Sequence, residues 1–209
     1  MALDADALRA RIARGVEVTG TGARGASVLV PLLDAPEGPQ VLFEVRARTL
    51  ATQPGEVSLP GGAIEPGEDP ARAAVREACE ELLVEPSQIR LVGSLGDPGG
   101  PDALPFHAYV GLLDGYAGTF SPAEVDRVFR VPLSRFLEDD PACYVARMQT
   151  VPPDDLPFDL IPGGRAYPWR VGRHEIPFYL GDDPVIWGAT ARVMRRLAEV
   201  MRAGAEQDG

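Results

Sequence analysis

The segment from Gly61 to Val84, GGAIEPGEDPARAAVREACEELLV, constrains this chain more than any other stretch. Its glycine pair lets the backbone approach a neighbouring group closely, and a pattern of helical periodicity follows. Asp69 is suited to capping that helix and Pro70 to its first position, whereas Pro86 prevents the helix from extending far. The segment therefore predicts a tight glycine turn that leads into a short helix.

The predicted helix has an apolar side and an acidic side. At about 100° per residue, the apolar side consists of Ala71, Ala74, Val75, Ala78 and Leu82. Glu77, Glu80 and Glu81 form the acidic side, where the spacing i, i+3, i+4 makes them surface neighbours. Such a cluster is typical either of a solvated face or of a site for Mg²⁺ or Mn²⁺, which prefer oxygen ligands.

The spacing of the polar residues in this segment resembles the Nudix box. The resemblance rests on Gly62, Glu68, Arg76-Glu77 and Glu80-Glu81, within a box that covers residues 62–84. Nudix hydrolases split a diphosphate linked to another moiety and use Mg²⁺ or Mn²⁺. The resemblance implies an α/β protein, a Nudix-type α/β/α sandwich with a mixed β-sheet, as a single domain over residues 1–209.

The resemblance also implies roles for individual residues. Glu77 and Glu81, with Glu80 close by and the Gly61 carbonyl, are expected to bind the metal ion, and Arg76 is expected to pair with Glu68 and hold the loop to the helix. The candidates for assisting the attacking water are Glu77, Glu80 and an acidic residue in a later loop, Glu124. The alternative for Glu124 is a capping or solvated carboxylate after Ser121-Pro122.

One position departs from the box, because Leu83 stands where the family has glycine. Glycine there would end the helix in a left-handed turn, a conformation that costs a leucine about 1–2 kcal/mol. We therefore expect the helix to continue about one residue further and to stop against Pro86.

The residues before the box resemble a second signature, that of the coenzyme A pyrophosphatase branch of the family. The matching positions are Leu42, Phe43, Arg46, Ala47, Gly55 and Leu59-Pro60-Gly61-Gly62. Glu44 stands for a threonine, Ala51 for an arginine and Leu59 for a phenylalanine. The expected substrate-binding residues are Arg46, Arg48 and Gly62, and the arginines are alternatively solvated strand-end residues.

The rest of the chain predicts the elements around the box. We expect an N-terminal helix over residues 4–14, a hairpin of strands 28–33 and 41–45, and further strands at 89–95, 106–113, 128–131 and 176–180. Residues 141–170 are rich in proline and polar groups, which favours a loop or a flap over the site. A covering helix is expected at about 184–203, and the run IWGATA at residues 186–191 again resembles the coenzyme A branch.

Composition narrows the classes of partner that this chain is expected to bind. The chain carries a formal net charge of -11 and has a pI of about 4.6, which argues against a nucleic-acid partner. It contains no apolar run long enough to span a membrane and no signal-peptide pattern. Cys79 and Cys143 are expected to be reduced thiols of a cytoplasmic protein. A homodimer is possible by the resemblance.

Three functions remain open at this point. The resemblance favours hydrolysis of the diphosphate bond of coenzyme A or its derivatives, giving 3′,5′-ADP and 4′-phosphopantetheine or its acyl form. Ala51, in place of an arginine, keeps another substrate such as ADP-ribose or NADH open. A non-catalytic nucleotide-binding module is the third alternative, although such a module would be expected to lack the acidic residues at 77, 80 and 81.

Overall fold

A mixed sheet of seven strands organises the part of the chain that the computed structural model describes, residues 8–10, 12, 25–99, 106–181 and 184–206. Its strands are Ala26–Leu33 (β1), Gln40–Arg46 (β2), Val57–Ser58 (β3), Gly61–Ala63 (β4), Ile89–Gly96 (β5), Phe106–Leu113 (β6) and Val125–Pro132 (β7). The main order is β3-β2-β1-β6-β5, with β4 on β1 and β7 on β2. β1 and β6 run parallel and the other pairs antiparallel, so the predicted mixed sheet is confirmed.

Helices cover both faces of this sheet. The longer helices are Pro70–Leu82 (α1) and Gly188–Glu206 (α3), and a short one, Leu133–Glu138 (α2), follows β7. Because side chains alternate along a strand, β1 packs Leu29 against α1 on one face and Val30 among residues of α3 on the other. Burial on both faces explains why β1 is apolar from Val28 to Leu33. The predicted α/β/α arrangement is thus confirmed.

The start of α1 follows the prediction. The Asp69 carboxylate accepts hydrogen bonds from the backbone N–H groups of Ala71 at 3.0 Å and Arg72 at 3.2 Å. Pro70 occupies the first helical position, where its missing N–H has no helical partner to lose. These local signals fix where the helix begins, and hence where its glutamates lie relative to the glycine turn.

The end of α1 was predicted wrongly. The helix stops at Leu82, and Leu83 adopts the left-handed conformation with φ 53° and ψ 50°. Contacts from a distant loop account for this, since the Thr119 hydroxyl donates to the Leu82 carbonyl at 2.7 Å and the Ser121 N–H to the Glu81 carbonyl at 2.7 Å. These bonds satisfy terminal carbonyls and hold the turn, so the leucine takes the position that glycine usually has.

Residues 141–170 were also predicted wrongly, because they are not all loop. Ala142–Gln149 forms β8 and pairs antiparallel with Val171–Tyr179 (β9), which in turn pairs with Ile186–Trp187 (β10) in a second sheet. Most β8 side chains are exposed, so the strand lacks the alternation of apolar and polar residues that marks a half-buried strand. Short 3₁₀ turns at Phe158–Leu160 and Gly164–Ala166 lie in the connection to β9.

The C-terminal helix begins later than predicted. Residues 186 and 187 pair with β9, and Gly188, with φ 63°, makes the break from strand to helix. Residues 8–10 and 12 are helical, with Leu8 and Ile12 buried in the same core as α3, while the rest of the predicted helix 4–14 lies outside the described residues. Among the helices that are described, none is long and apolar enough to cross a membrane. Cys79 and Cys143 are free thiols, as expected.

We predict that Leu83→Gly stabilises the protein by about 0.5–1 kcal/mol, because glycine adopts the left-handed conformation without the cost borne by a leucine, less its own entropy in the unfolded chain. Leu83 is 56% exposed, so little buried apolar surface is lost. The free energy of unfolding from urea titration measures the change.

Leu83→Ala is the matched control, because alanine removes the exposed side chain but keeps a Cβ in the left-handed conformation. A gain in stability for Leu83→Ala equal to that for Leu83→Gly would contradict the conformational explanation.

Candidate active site

The glycine turn binds directly to a buried carboxylate of α1. The Gly61 N–H donates to Oε2 of Glu81 at 2.8 Å, and Glu81 is only 5% exposed. A Cβ on Gly61 would lie 2.4 Å from the Ser27 carbonyl oxygen and 2.6 Å from Cγ1 of Val28, so no larger residue fits. The sequence placed Glu81 on the acidic side of the helix, away from the apolar stripe, but the turn covers it. The amide of Gly61 makes this contact, and the metal-binding role expected for its carbonyl stays a prediction.

The second glycine lies against the next carboxylate. A Cβ on Gly62 would come within 2.5 Å of the Glu77 carboxyl carbon, so the absence of a side chain makes room for this group. The glycine pair therefore brings backbone close to two of the predicted metal ligands, Glu77 and Glu81.

Arg76 fixes the loop between the glycine turn and the helix. Its guanidinium donates to both carboxylate oxygens of Glu68, at 2.9 and 3.0 Å, and to the Ala63 carbonyl at 3.1 Å. The remaining guanidinium nitrogen donates to Oε1 of Glu77 at 2.8 Å. The predicted Arg76–Glu68 pair is present, and the same side chain also orients Glu77. A bidentate pair of this kind is geometrically specific as well as charge-assisted.

Burial and the charges of nearby carboxylates raise the pKa of two carboxyl groups here. The pKa of Glu81 is raised to about 9, first by burial and then by the charge of Glu44, with smaller contributions from Glu77 and Glu124. Glu44, in β2, is fully buried, and burial raises its pKa to about 7 against the effects of the Ser58 hydroxyl bond and the Arg46 charge. Its Oε1 accepts from Ser58 at 2.9 Å, whereas Oε2 has no hydrogen-bond partner in the described structure.

Glu44 is a site residue that sequence reasoning missed. By sequence, this glutamate is a departure from the coenzyme A signature, which has a threonine at this position. Its only sequence signal is a charged residue in the middle of the otherwise apolar strand VLFEV, where a buried charge requires a reason.

The other predicted site residues are more open to solvent. The Glu80 side chain is 56% exposed, and Glu124 is exposed in the loop before β7, where its backbone carbonyl accepts from the Ala47 N–H at 2.8 Å. Arg46 lines the cleft beside the glycine turn, but Arg48 is exposed outside its lining. The structure thus brings Glu77, Glu81 and Arg46 to the turn more closely than Glu80 or Arg48.

A cleft of about 800 Å³ runs from the glycine turn to the second sheet. Gly61, Gly62 and Arg46 line part of it, and residues of β9, β10 and the start of α3 form a further part of its wall. Sequence reasoning missed that wall, which includes His174, Trp187 and Arg192. The run IWGATA resembles the coenzyme A branch in sequence, but only the tertiary fold shows that it lines the same cleft as the glycine turn of the box.

The NUDIX domain family matches residues 23–168, more than half of the chain. The chain belongs to the Nudix family. Nudix hydrolase 22, chloroplastic, of Arabidopsis thaliana is 33% identical over 185 residues, covering 84% of this chain and 55% of that protein. Mitochondrial coenzyme A diphosphatase NUDT8 of Homo sapiens is 29% identical over 187 residues, covering 87% of this chain and 71% of that protein. Peroxisomal coenzyme A diphosphatase ndx-8 of Caenorhabditis elegans is 40% identical over 130 residues, covering 59% and 55%.

Membership confirms the family that the box residues predicted. This Nudix chain nevertheless spans only a little over half the length of some of the relatives it matches, such as Nudix hydrolase 22.

The donor atoms at the glycine turn of this Nudix chain are carboxylate oxygens, which suit a divalent cation. Nudix hydrolases generally use divalent metal ions, and such hard ions prefer carboxylate oxygens. Glu77 and Glu81 meet the glycine turn, whose missing side chain at Gly62 leaves room at the Glu77 carboxylate. No group of three potential ligands is gathered around one point among the described residues.

We predict that Glu44→Gln stabilises the metal-free protein at pH 8 and has little effect at pH 5. Between the ordinary value of 4.5 and the folded pKa of about 7, the unfolded chain releases this proton while the folded chain keeps it, so stability falls as pH rises. The amide of the variant stays uncharged, like the protonated carboxyl group. The variant therefore keeps the free energy of unfolding that the wild type loses as pH rises, about 2–3 kcal/mol.

Urea unfolding with a chelator at the two pH values measures the effect. The same difference between the variant and the wild type at pH 5 and pH 8 would contradict the raised pKa of Glu44.

Proposed function

We propose that this Nudix protein hydrolyses the diphosphate bond of coenzyme A or a derivative, giving 3′,5′-ADP and 4′-phosphopantetheine or its acyl form. The observation that carries the proposal is the contact of the buried Glu81 with the amide of Gly61, a residue that also lines a cleft of nucleotide size. The coenzyme A substrate is supported by the signature before the box and by the names of NUDT8 and ndx-8.

The box carboxylates supply the proposed metal site. Glu77 and Glu81 would hold Mg²⁺ or Mn²⁺, with Glu80 and the Gly61 carbonyl as further donors. A bound divalent ion offsets the charge of the diphosphate and lowers the pKa of a bound water. Arg76 orients Glu77 through its 2.8 Å contact and joins the loop to α1 through Glu68. Arg76 and Glu68 therefore act by positioning other residues.

A carboxylate of this chain accepts the proton of the attacking water in the proposed reaction. The candidates are Glu77, Glu80 and Glu124, and the exposure of Glu80 and Glu124 leaves both accessible to solvent water. Glu124 lies near enough to the buried carboxyl groups for its charge to raise the pKa of both Glu44 and Glu81.

Arg46 is the proposed contact for substrate phosphate. It lines the cleft together with Gly62, and its Nε donates to the Thr52 carbonyl at 3.4 Å, a long contact that leaves the terminal nitrogens for other partners. Arg48 remains a second candidate, although it lies outside the cleft lining. Ala51 is exposed in the loop after β2, where the family signature has an arginine.

The cellular location, the type of partner and the oligomeric state stay proposals. A cytoplasmic location was predicted from the sequence, whereas the names of the relatives give chloroplast, mitochondrion and peroxisome. The net charge of -11 supports a small nucleotide held by local cations and a metal ion rather than a nucleic-acid partner. A homodimer stays a prediction.

A substrate panel tests the proposed function. With Mg²⁺ or Mn²⁺, we expect the highest kcat/KM for coenzyme A or an acyl derivative, compared with dephospho-coenzyme A, ADP-ribose and NADH. Product analysis should identify 3′,5′-ADP. A preference for ADP-ribose over every coenzyme A derivative would overturn the substrate, and failure to hydrolyse any diphosphate would overturn the activity.

We predict that Glu81→Gln lowers kcat/KM by more than about 100-fold, because even changes in partners of metal ligands cost about 10- to 100-fold. Without metal the variant should remain folded, since the amide oxygen can still accept the Gly61 N–H. The rise in Tm that Mg²⁺ or Mn²⁺ gives the wild type should be lost.

Glu65→Gln is the matched control, because it makes the same charge change at an exposed position of the box. It should keep both the activity and the metal-induced rise in Tm. A Glu81→Gln variant that retained both properties would refute the metal-ligand role.

A further inference from the structure

Trp187 stands out in the part of the cleft wall that β9, β10 and α3 form. It lines the cleft and is 38% exposed, whereas its neighbour in β10, Ile186, is 4% exposed. The two side chains point to opposite faces of the strand, so Ile186 anchors the segment in the core while Trp187 faces the cleft. A large apolar ring kept partly in water beside a proposed active site indicates a contact surface for a ligand.

An aromatic series holds this ring in place. Trp187 stacks on Phe178 of β9 with ring centroids 5.5 Å apart and an interplanar angle of 14°. Phe178 in turn meets the edge of Tyr144 in β8 at 5.4 Å and 89°. Because three adjacent strands each contribute one ring, the orientation of Trp187 is fixed before any ligand arrives, which lowers the entropy lost on binding.

The backbone after Trp187 is fixed as well. Gly188 adopts φ 63°, so α3 begins immediately after the ring. The Thr190 hydroxyl donates to the Val57 carbonyl at 3.0 Å and attaches the first turn of α3 to β3. Since β3 belongs to the sheet that carries the glycine turn, this bond sets the spacing between Trp187 and the box.

The surroundings of Trp187 favour an uncharged flat group over an anion. Arg46 and Arg192 line the cleft, but Glu56 and Asp97 line it too, so the charges are mixed. The apolar residues of the same lining include Phe106, Ile176 and Val193. An aromatic base fits such walls, because stacking needs only a π-face and no charge.

We propose that Trp187 is the platform on which the adenine base of the nucleotide substrate stacks, while the diphosphate lies at the glycine turn. This assignment rests on the proposed function, in which coenzyme A and the alternatives ADP-ribose and NADH all carry adenine. It makes Trp187 a residue that determines specificity for adenine nucleotides, and it gives the segment 186–190 a role in binding beyond covering the sheet.

Fluorescence measures the contact without any hydrolysis. In a Trp169→Phe background, Trp187 is the remaining tryptophan, and AMP added with a chelator should quench its emission saturably. 4′-Phosphopantetheine, the other half of coenzyme A, should leave the emission unchanged. Quenching by 4′-phosphopantetheine but not by AMP would overturn the assignment and place the apolar chain on the ring.

Kinetics supply the second measurement. Trp187→Leu should raise KM for the substrate about 5- to 150-fold, the range that corresponds to the loss of one stacked base, with a smaller change in kcat. Trp187→Phe should restore most of the affinity, because it keeps an aromatic face. Tyr144→Leu is the matched control, since it removes a ring from the same series outside the cleft lining.

The outcomes separate this inference from the proposed function. Quenching by AMP in a protein that hydrolyses no diphosphate would support the base platform and overturn the activity. Hydrolysis with an unchanged KM in Trp187→Leu and no quenching would overturn the platform and leave the activity standing. An equal rise in KM for Tyr144→Leu and Trp187→Leu would assign the effect to the stability of the second sheet and overturn the platform.

Discussion

The hydrogen bond from the Gly61 amide to the Glu81 carboxylate is the contact on which the site depends. At 2.8 Å it joins the glycine turn to α1 and draws a charged side chain out of water. The absence of a side chain at Gly61 makes it possible, since a Cβ would collide with β1. Arg76 then fixes the loop between the two elements. Helix, turn and sheet are thereby held in one arrangement, and the cleft opens beside it.

This arrangement is electrostatically unfavourable in the protein by itself. Burial raises the pKa of Glu81 to about 9 and that of Glu44 to about 7, and the charge of Glu44 contributes to the rise at Glu81. Folded proteins keep such groups mainly where binding or chemistry uses them. A divalent cation would remove the repulsion that the fold leaves in place, so the same charges that oppose folding favour the proposed metal.

Local signals allowed part of this structure to be predicted from the sequence. The cap at Asp69, the pair of Arg76 with Glu68 and the apolar run of β1 are all set by residues near one another in the chain. Features made by distant residues escaped prediction. Thr119 reaches the end of α1 and holds Leu83 in its left-handed turn. In the same way, β8 takes its structure from pairing with β9, and the cleft face of the segment 186–190 exists only once the two sheets are placed.

The packing of α1 sets a steric limit on the chemistry. Ala73, Ala74 and Ala78 are fully buried, and the latter two share a core cluster with Leu29 of β1. Methyl side chains let the helix axis lie close above the strands, whereas isobutyl or benzyl groups at these positions would raise it. A raised helix would carry Glu81 away from the backbone amide that it now meets. Two of the least reactive side chains in the molecule, those of Ala74 and Ala78, thus act as spacers that set the position of its acidic groups.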